Sequence, residues 1–576
     1  MSVVSGPLPD LWPAPSRRRS FAADRGRIAF CLAVALLALL PVAGLVWFAL
    51  GGSGAPLPAF IRTVLPRAGG TTLILLMGVG AIAAVTGIGT AFLVARCRFP
   101  GRRLFEWALL LPLAMPTYVM AYAWLDVVHP LGPVPVALRA LLGLTDPRAL
   151  PLPDLRSTGG AVFVIGFVLY PYVYLPVRAL LMMRASLLSE AARMLGAGPL
   201  RTFFSVTMPA IWPAAAVGLS LVLLETLNDI GASDFLGVRT LTVAVYTSWT
   251  VRGSIEGAAQ IALAMLAIVL LLMLAERHAR RRLSSAAPGR GTRPAADFVL
   301  GRRASLLAII ACTLPIIAGF GIPGAYLAAA AATRLAARGL PPGLAQTAVN
   351  SLTMASLAAL ATVAIGLGLT LAARTAQSGL VRPLMRVGAI GYAIPGTVLA
   401  VGLLVPLAGL DNLVADAARA VTGRSIGLVL IGSGAALLIA YCLRFLAIAI
   451  GGIEAGYIRI SRSLDGAAAS LGAGPTRIAQ QIHAPLLAAP IATAAILVFV
   501  DAMKELPATL LLRPLNFETL ATSVYGEAAR GTHEDGAIAA LMIVLVGLAP
   551  VIRLARIGRI RPSVAAGRDK APAPRD

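Results

Sequence analysis

Lysine is almost missing from this chain: Lys504 and Lys570 are the only two among 576 residues. No Gly-x-x-x-x-Gly-Lys-[Ser/Thr] segment occurs, so the chain lacks the loop that cradles nucleotide phosphates, and any ATP chemistry must come from a separate subunit. Histidine is nearly as scarce, with four residues and no His-Glu-x-x-His run or close His pair. No Ser/His/Asp set stands in plausible proximity either, which leaves an intramembrane enzyme without a catalytic constellation. The four cysteines, Cys31, Cys97, Cys312 and Cys442, show no Cys-x-x-Cys spacing. A disulfide framework or a zinc site is therefore not indicated, and small buried hydrophobes are the simpler reading. Charge is short overall, at 13% of residues against 58% hydrophobic, where soluble domains carry about a quarter charged.

What the chain does have is apolar runs of about 20 residues, long enough to cross a hydrocarbon core about 30 Å thick. We read twelve spans. The first half gives residues 28–50, 71–95, 105–126, 161–181, 208–227 and 258–275, and the second gives 304–331, 351–373, 385–407, 426–448, 486–499 and 537–551. The fold class expected is all-α, a polytopic helical membrane protein. The first span follows more than two dozen polar and basic residues and is too long for a signal-peptide core, so it is expected to stay as an anchor.

A net charge of +24 would suggest nucleic acid in a soluble protein. Here the arginines gather in alternate loops: Arg17, Arg18, Arg19, Arg25 and Arg27 before the first span, then "ARCRFPGRR", the 178–201 segment, "ERHARRRLSS", Arg302 and Arg303, and finally Arg553, Arg556, Arg559 and Arg561. The positive-inside rule then places both termini in the cytoplasm with an even number of spans, and no nucleic-acid partner is expected.

Internal comparison shows duplication. Residues 71–121 align with 350–400 at a spacing of 279, matching Leu73/Leu352, Gly87/Gly366, Gly89/Gly368, Arg103/Arg382, Pro116/Pro395 and Val119/Val398. Residues 188–235 align with 464–511 at 276, and Val245-Tyr246 matches Val524-Tyr525 at 279. The organisation expected is a cytoplasmic segment 1–27, a first six-span repeat 28–276 (core 71–276), a cytoplasmic linker 277–303, a second six-span repeat 304–552 (core 350–552) and a basic tail 553–576. An even span count makes the repeats parallel, related by an axis along the membrane normal.

Two polar stretches stand out, "LSEAARMLGAGPLRTFFSVTMP" from Leu188 and "LDGAAASLGAGPTRIAQQIHAP" from Leu464. Leu187, Leu188, Ala191, Met194 and Leu195 recur at helical spacing with Ser189, Glu190 and Arg193 opposite, and Leu464, Ala467, Ala468 and Leu471 repeat the design. Gly196 or Gly198, like Gly472 or Gly474, suits a helix stop, and Pro199 or Pro475 suits the first turn of a new helix. Each stretch thus reads as a helix, a tight turn and a helix leading to Pro209 or Pro485. One such hairpin lies as readily on the lipid interface as on a partner, but two matched copies suit a two-fold-related soluble partner.

"EAARMLGAGPLRTFFSVTMP" resembles the cytoplasmic EAA loop of binding-protein-dependent ABC importer permeases. The resemblance implies a coupling helix seated on an ATPase subunit, carried by Glu190, Ala191, Ala192, Gly196, Gly198 and Pro209, and by Ala467, Ala468, Gly472, Gly474 and Pro485 in the second copy. There Gly466 stands where the pattern has Glu, with Asp465 one residue earlier. "DAMKELPATLLLRPLNFETLATSVYGEA" from Asp501 and "LYPYVYLPVRALL" resemble fused twelve-span permeases of the ferric-iron type; thiamine and phosphonate permeases share the layout. This implies a fold of the ABC importer permease (MetI-like) type in the bacterial inner membrane. Two cytoplasmic ATPase subunits would hold ATP and Mg, an external binding protein would deliver substrate, and this chain would bind no cofactor.

Charged residues at membrane depth cost about 2.5–3.5 kcal/mol each on insertion scales and line cavities or find partners. Glu225, Asp229, Asp501, Lys504 and Glu505 are such candidates for a translocation path. They make either an acidic vestibule for a hard, oxygen-preferring metal cargo, or mutually neutralising pairs, or simply part of the outer loop. Pro116 and Pro395, at matched depths, should kink or interrupt their helices, either near that path or as packing kinks unrelated to transport. His533, Glu534 and Asp535 are metal-capable, or else simply form a solvated loop before the last span. Two other classes stay open: a secondary transporter with two six-span halves, and a membrane enzyme or scaffold.

Overall fold

A computed structural model of the chain describes residues 24–51, 60–144, 146, 153–183, 192, 194–283, 298–423 and 427–557. Glu190 and Ala191 lie outside the described residues, as do most of the N-terminal segment, the middle of the linker and most of the basic tail. Eleven described helices are long and apolar enough to cross a membrane, or twelve if one sharply bent pair counts as a span.

In chain order, α1 (Arg25–Gly51) and α2 (Gly70–Arg96) are followed by a broken segment, α3 (Arg102–Ala108), a 3-10 turn (Leu111–Ala114) and α4 (Thr117–Val127). Next come α5 (Thr158–Leu169), α6 (Pro171–Met183), α7 (Met208–Asn228), the short α8 (Gly231–Phe235), α9 (Leu241–Thr250) and α10 (Ile255–Leu283). The second repeat supplies α11 (Arg302–Ile316) and α12 (Ile322–Arg338), then α13 (Leu344–Thr375), α14 (Val381–Gly388), α15 (Gly396–Thr422) and α16 (Ala435–Tyr457). It ends with the hairpin helix α17 (Arg462–Ser470), α18 (Ala484–Met503), the short α19 (Pro507–Leu512), α20 (Leu520–Arg530) and α21 (His533–Ile557). Two residues on each side, β1 (Cys97–Arg98) and β2 (Phe298–Val299), form a parallel ladder, a small departure from an all-α chain.

Three spans differ from the hydropathy reading. The run 105–126 is not one helix: its two parts meet at 93° at the Met115-Pro116 step. The run 385–407 is likewise interrupted before Pro395. In both cases the residue ahead of the proline is extended, as a following ring demands; Met115 has ψ 112 and Ile394 ψ 119. The run 426–448 starts later, at Ala435, because the amides of Val429, Leu430 and Ile431 bond to the Asp411 carboxylate in a capped turn.

The chain forms two compact units, and they cross the repeat boundaries. One contains Thr347–Thr519 with Met1–Val64 and Ala244–Val269; the other contains Leu65–Val243 with Leu270–Gln346 and Leu520–Asp576. Each unit therefore holds the inner spans of one repeat together with the first and last spans of the other.

Within the first unit α1 packs along α14 and α15, and Cys31 joins Leu369, Met385 and Leu446 in a buried cluster. The closest approach is at Gly44 and Gly402: a Cβ on Gly402 would run into the Pro41 carbonyl, and one on Gly44 into the Gly402 carbonyl. Lipid tails are as apolar as leucine, so small residues that let backbones meet supply much of the attraction between membrane helices. In the second unit α2 packs on α5, α6 and α7, while α12 and α21 pack on each other. Gly319, between α11 and α12, lies against the Phe167 carbonyl and Pro112 in the same close manner.

Replacing Gly402 by valine forces α1 away from α15, an overpacking cost of about 1–3 kcal/mol. Gly409 on the same helix faces open space, so Gly409→Val is the control. Thermal unfolding in detergent should show a lowered midpoint for Gly402→Val and little change for Gly409→Val.

Candidate functional site

Both broken spans end at a proline followed by a helix, and each break is met by a buried carboxylate from the same repeat. In the first repeat α7 stops at Asn228 and Asp229 turns extended. Its Oδ1 accepts from the Ser233 amide at 2.9 Å and the Ser233 hydroxyl at 3.2 Å. Its Oδ2 takes the hydroxyl of Thr117, the residue just after Pro116. One carboxylate thus caps the short helix α8 and holds the start of α4.

The second repeat uses a longer carboxylate at the equivalent place. Glu505 Oε1 accepts from the Ala508 amide at 2.9 Å, and Oε2 from the Thr509 amide at 3.0 Å and the Thr509 hydroxyl at 2.6 Å. This caps α19, where the helix dipole also favours negative charge. Tyr441 shares a 2.6 Å hydrogen bond with the Thr509 hydroxyl, and Arg444 Nη1 stands 3.8 Å from Glu505 Oε1. Gly396, the counterpart of Thr117, makes the room: an added Cβ would lie 3.0 Å from Glu505 Oε1 and closer still to the Arg444 guanidinium.

Asp229 and Glu505 are 8% and 4% exposed, and burying a carboxylate is tolerable only when its oxygens are occupied in this way. Thr117, beside Pro116, is thereby held at Asp229 in one unit, and Gly396, beside Pro395, lies against Glu505 in the other. Glu225 and Asp501 lie half-buried one turn earlier, and Asp501 pairs with Lys504 at 2.9 Å. Asp234, by contrast, accepts from the Tyr525 hydroxyl at 2.6 Å, with Phe235 stacked on the Tyr525 ring.

His533, Glu534 and Asp535 are not a loop. They open α21, with both acids in its first turn, and Asp535 is committed to an ion pair with Arg334. The His533 side chain lies outside the described residues. Among the described residues no group of three or more His, Cys, Asp or Glu could hold a metal ion.

The two hairpins turn alike. Gly196 and Gly472 sit at φ 81 and φ 82, and the amides of Ala197 and Ala473 bond to the carbonyls of Ala192 and Ala468, each at 3.0 Å. The helix stop is therefore Gly196 and Gly472; Gly198 and Gly474 lie beyond it and lead into the helices Pro199–Thr202 and Pro475–Ile478. Pro209 and Pro485 follow in the first turns of α7 and α18. Leu195 and its counterpart Leu471 project 87% and 89% exposed.

The second hairpin is tied down at its base. Asp465 accepts from Arg374 Nη2 at 2.9 Å and Nε at 3.1 Å, and stands 2.9 Å from His483 Nε2. Arg374 ends α13 and His483 precedes α18, so one carboxylate joins α17 to two membrane helices. Arg374 also donates to the Ile460 carbonyl at 3.1 Å and lies over the Tyr457 ring. Partial burial alone would raise the Asp465 carboxyl, but His483 and Arg374 hold it below the usual carboxylate range. The repeat counterparts of Asp465 and His483 are Ser189 and Thr207, so this acid–histidine pairing belongs to the second copy.

Sequence reasoning passed over Thr117, Ser233, Gly396, Arg374, Arg444, His483 and Thr509. A signal existed for some of them. Ser233 and Thr509 each follow their carboxylate by four residues, the spacing of a capped helical turn, and Arg444 is the sole cation of α16.

The model of the family described as "Binding-protein-dependent transport system inner membrane component" matches residues 83–285. The chain is similar to the Fe(3+)-transport system permease protein FbpB 2 of Haemophilus influenzae, 26% identical over 486 residues, covering 84% of this chain and 88% of that protein. It is similar also to the molybdenum transport system permease protein ModB of Escherichia coli, 32% identical over 194 residues, covering 33% of this chain and 81% of that protein. The putative 2-aminoethylphosphonate transport system permease protein PhnU of Salmonella paratyphi A is 33% identical over 187 residues, with 32% of this chain and 64% of that protein covered.

Two outcomes follow from this geometry. Thr117→Val leaves one oxygen of buried Asp229 without its partner and should cost about 1–3 kcal/mol, read from thermal unfolding against wild type. Because the folded Asp465 carboxyl titrates below its ordinary value of about 3.9, its ion pair stabilises the chain above that pH and fades as pH falls through the depressed value. The stability gap between wild type and Asp465→Asn should accordingly be present at about pH 5 and should narrow by about pH 3.

Proposed function

The chain belongs to the family of binding-protein-dependent transport system inner membrane components, and from that premise we propose that it is the membrane-spanning subunit of an ATP-driven importer for ferric iron, filling both permease positions of the complex. Family membership sets aside the secondary-carrier and membrane-enzyme readings. The observation that carries the cargo assignment is the collinear likeness to the Fe(3+) permease through both repeats, over 486 residues. The molybdenum and aminoethylphosphonate relatives match about a third of the chain each.

In this reading both termini and both hairpins face the cytoplasm. Two ATPase subunits bind ATP and Mg and receive the hairpins, and a binding protein presents cargo at the outer mouth. The support for docking is the matched turn at Gly196 and Gly472 with Leu195 and Leu471 held out of each unit's core. Closure of the ATPase pair on nucleotide moves the hairpins, and Asp465 passes the second hairpin's motion to Arg374 on α13 and His483 at the head of α18. Nucleotide shifts the conformational balance only as far as its affinity differs between the two states. Pro116 and Pro395 are the flexure points of the path. The capped carboxylates Asp229 and Glu505 hold those points in shape rather than ligating cargo, since their oxygens already accept bonds from their own units.

The test is reconstitution with the ATPase subunits and ferric-loaded binding protein in proteoliposomes, following ATP hydrolysis and uptake of ferric iron, molybdate and 2-aminoethylphosphonate. Ligand-stimulated hydrolysis with iron uptake is expected, together with loss of stimulation in folded Glu190→Lys and Gly472→Asp chains. Uptake of another solute without iron overturns the cargo assignment; stimulation unchanged by both variants overturns the docking role.

A further inference from the structure

The linker between the repeats ends against the support of the first hairpin. Phe298 and Val299 run parallel to Cys97 and Arg98, with Cys97 opposite Phe298, and the Leu300 amide donates to the Arg98 carbonyl at 3.3 Å. The Ser305 amide then donates to the Gly301 carbonyl at 2.8 Å and its hydroxyl to the Leu300 carbonyl at 3.2 Å, which starts α11. The segment from Phe298 to Gly301 is thus fixed between the end of α2 and the start of α11. A two-residue parallel ladder is marginal by itself, so side chains must hold it.

They do so through aromatic rings. The Phe298 ring lies 6.2 Å from that of Phe92, near the end of α2, centroid to centroid. Phe92 meets Phe203 edge to face at 5.0 Å, and Phe203 meets Phe204 in the same way at 5.1 Å. These separations fall in the favourable range for aromatic pairs. Phe203 opens the π-helical turn Phe203–Thr207, which joins the hairpin's returning helix, Pro199–Thr202, to α7. A continuous run of rings therefore leads from the linker across α2 to the returning arm of the hairpin, all within one unit.

The second repeat has none of these rings: the counterparts of Phe92, Phe203 and Phe204 are Leu371, Ala479 and Gln480. Its hairpin is tied to the matching helix end by Arg374 and Asp465, and Ala95 takes the place of Arg374 in the first repeat. The chain ahead of α1 nonetheless meets α13 where the linker meets α2. Asp24 accepts from the amides of Gln377 and Ser378, the counterparts of Arg98 and Phe99. Each inner helix end is thus braced by the segment ahead of the other repeat's first span, and each carries a hairpin contact. Rings make that contact in one copy and an ion pair makes it in the other. Joining two repeats needs only chain length, whereas an aromatic side chain seated against a hairpin's support serves the hairpin.

We propose that the end of the linker is a working part of the first coupling hairpin, with Phe298 as its positioning residue. Through Phe92 and Phe203 it holds the returning arm stiff enough to pass the motion of the ATPase pair into α7. This rests on the reading of the hairpins as ATPase-docking elements, and it is independent of which cargo the chain carries.

The experiment has two arms. In the purified full chain without partner subunits, a nitroxide label on Arg201→Cys reports motion of the returning arm, and one on Arg477→Cys, its equally exposed counterpart, reports the other hairpin. Cys442, the one native cysteine that is not buried, is changed to alanine in both. Phe298→Ala should raise the mobile fraction of the first label roughly two- to tenfold and leave the second unchanged. Phe298→Tyr, which keeps the ring, and Val299→Ala, whose side chain is 79% exposed on the same strand, should behave as wild type. In proteoliposomes with the ATPase subunits and ferric-loaded binding protein, unlabelled Phe298→Ala should hydrolyse more ATP per iron taken up, by a similar factor. Wild type without ligand-stimulated hydrolysis overturns the docking reading, and the proposal falls with it whatever the labels show. Stimulated wild type, with unchanged mobility of the first label or unchanged ATP per iron in Phe298→Ala, overturns the proposal alone. If Phe298→Ala does not fold, Phe298→Leu, which keeps apolar bulk without the ring, takes its place and is judged by the same outcomes.

Discussion

A backbone amide or carbonyl inside hydrocarbon has no water to turn to, so every interruption of a spanning helix must find its hydrogen bonds within the protein. Two spans of this chain are interrupted at matched prolines, and two more end in short helices beside them. Asp229 meets that demand at both kinds of break at once, and Glu505 caps the short helix of its own repeat with Gly396, beside Pro395, lying against it. The repeats solve the problem with different side chains. A short aspartate needs the Thr117 hydroxyl to reach across, whereas a longer glutamate needs the side chain there removed, which is what Gly396 provides. The two halves share the capped short helix while the side chains differ on both sides of the contact.

The same economy governs how the units are assembled. Apolar surface gives no drive toward association in lipid, so contact must come from close backbones and satisfied polar groups. Gly44 and Gly402 in one unit, and Gly319 against Phe167 in the other, are such contacts, and each joins a first span to inner spans of the opposite repeat. Asp24 extends the tie at the end of α1, where its carboxylate accepts from the amides of Gln377 and Ser378 at 2.7 and 2.8 Å.

Hydropathy and the internal repeat made most of the spans legible, because twenty apolar residues in a row have few other uses. The hairpin turns were legible too, since "GAGP" suits a turn whose glycine takes positive φ, and Gly196 and Gly472 do so. The breaks were legible only in part. Pro116 and Pro395 announced them, but hydropathy averages over a window and ran the spans 105–126 and 385–407 straight through. Ala435 begins its helix late for a related reason: the residues before it are apolar enough to pass as helix, and only the distant Asp411 shows where their amides go. Exchange of outer spans left no mark in sequence, because a glycine that permits contact does not specify with which helix.

That exchange bears on how the protein is made. Ribosomes release the chain from its N-terminus, yet α1 meets its packing partners only once α14 and α15 have emerged some 350 residues later, and the inner spans of the first repeat wait for α21, the last of the described helices. Neither unit can close during synthesis of its own repeat. The nascent chain must hold a half-covered first repeat in the bilayer until α21 has emerged, so a chain broken within that helix would leave the second unit unfinished.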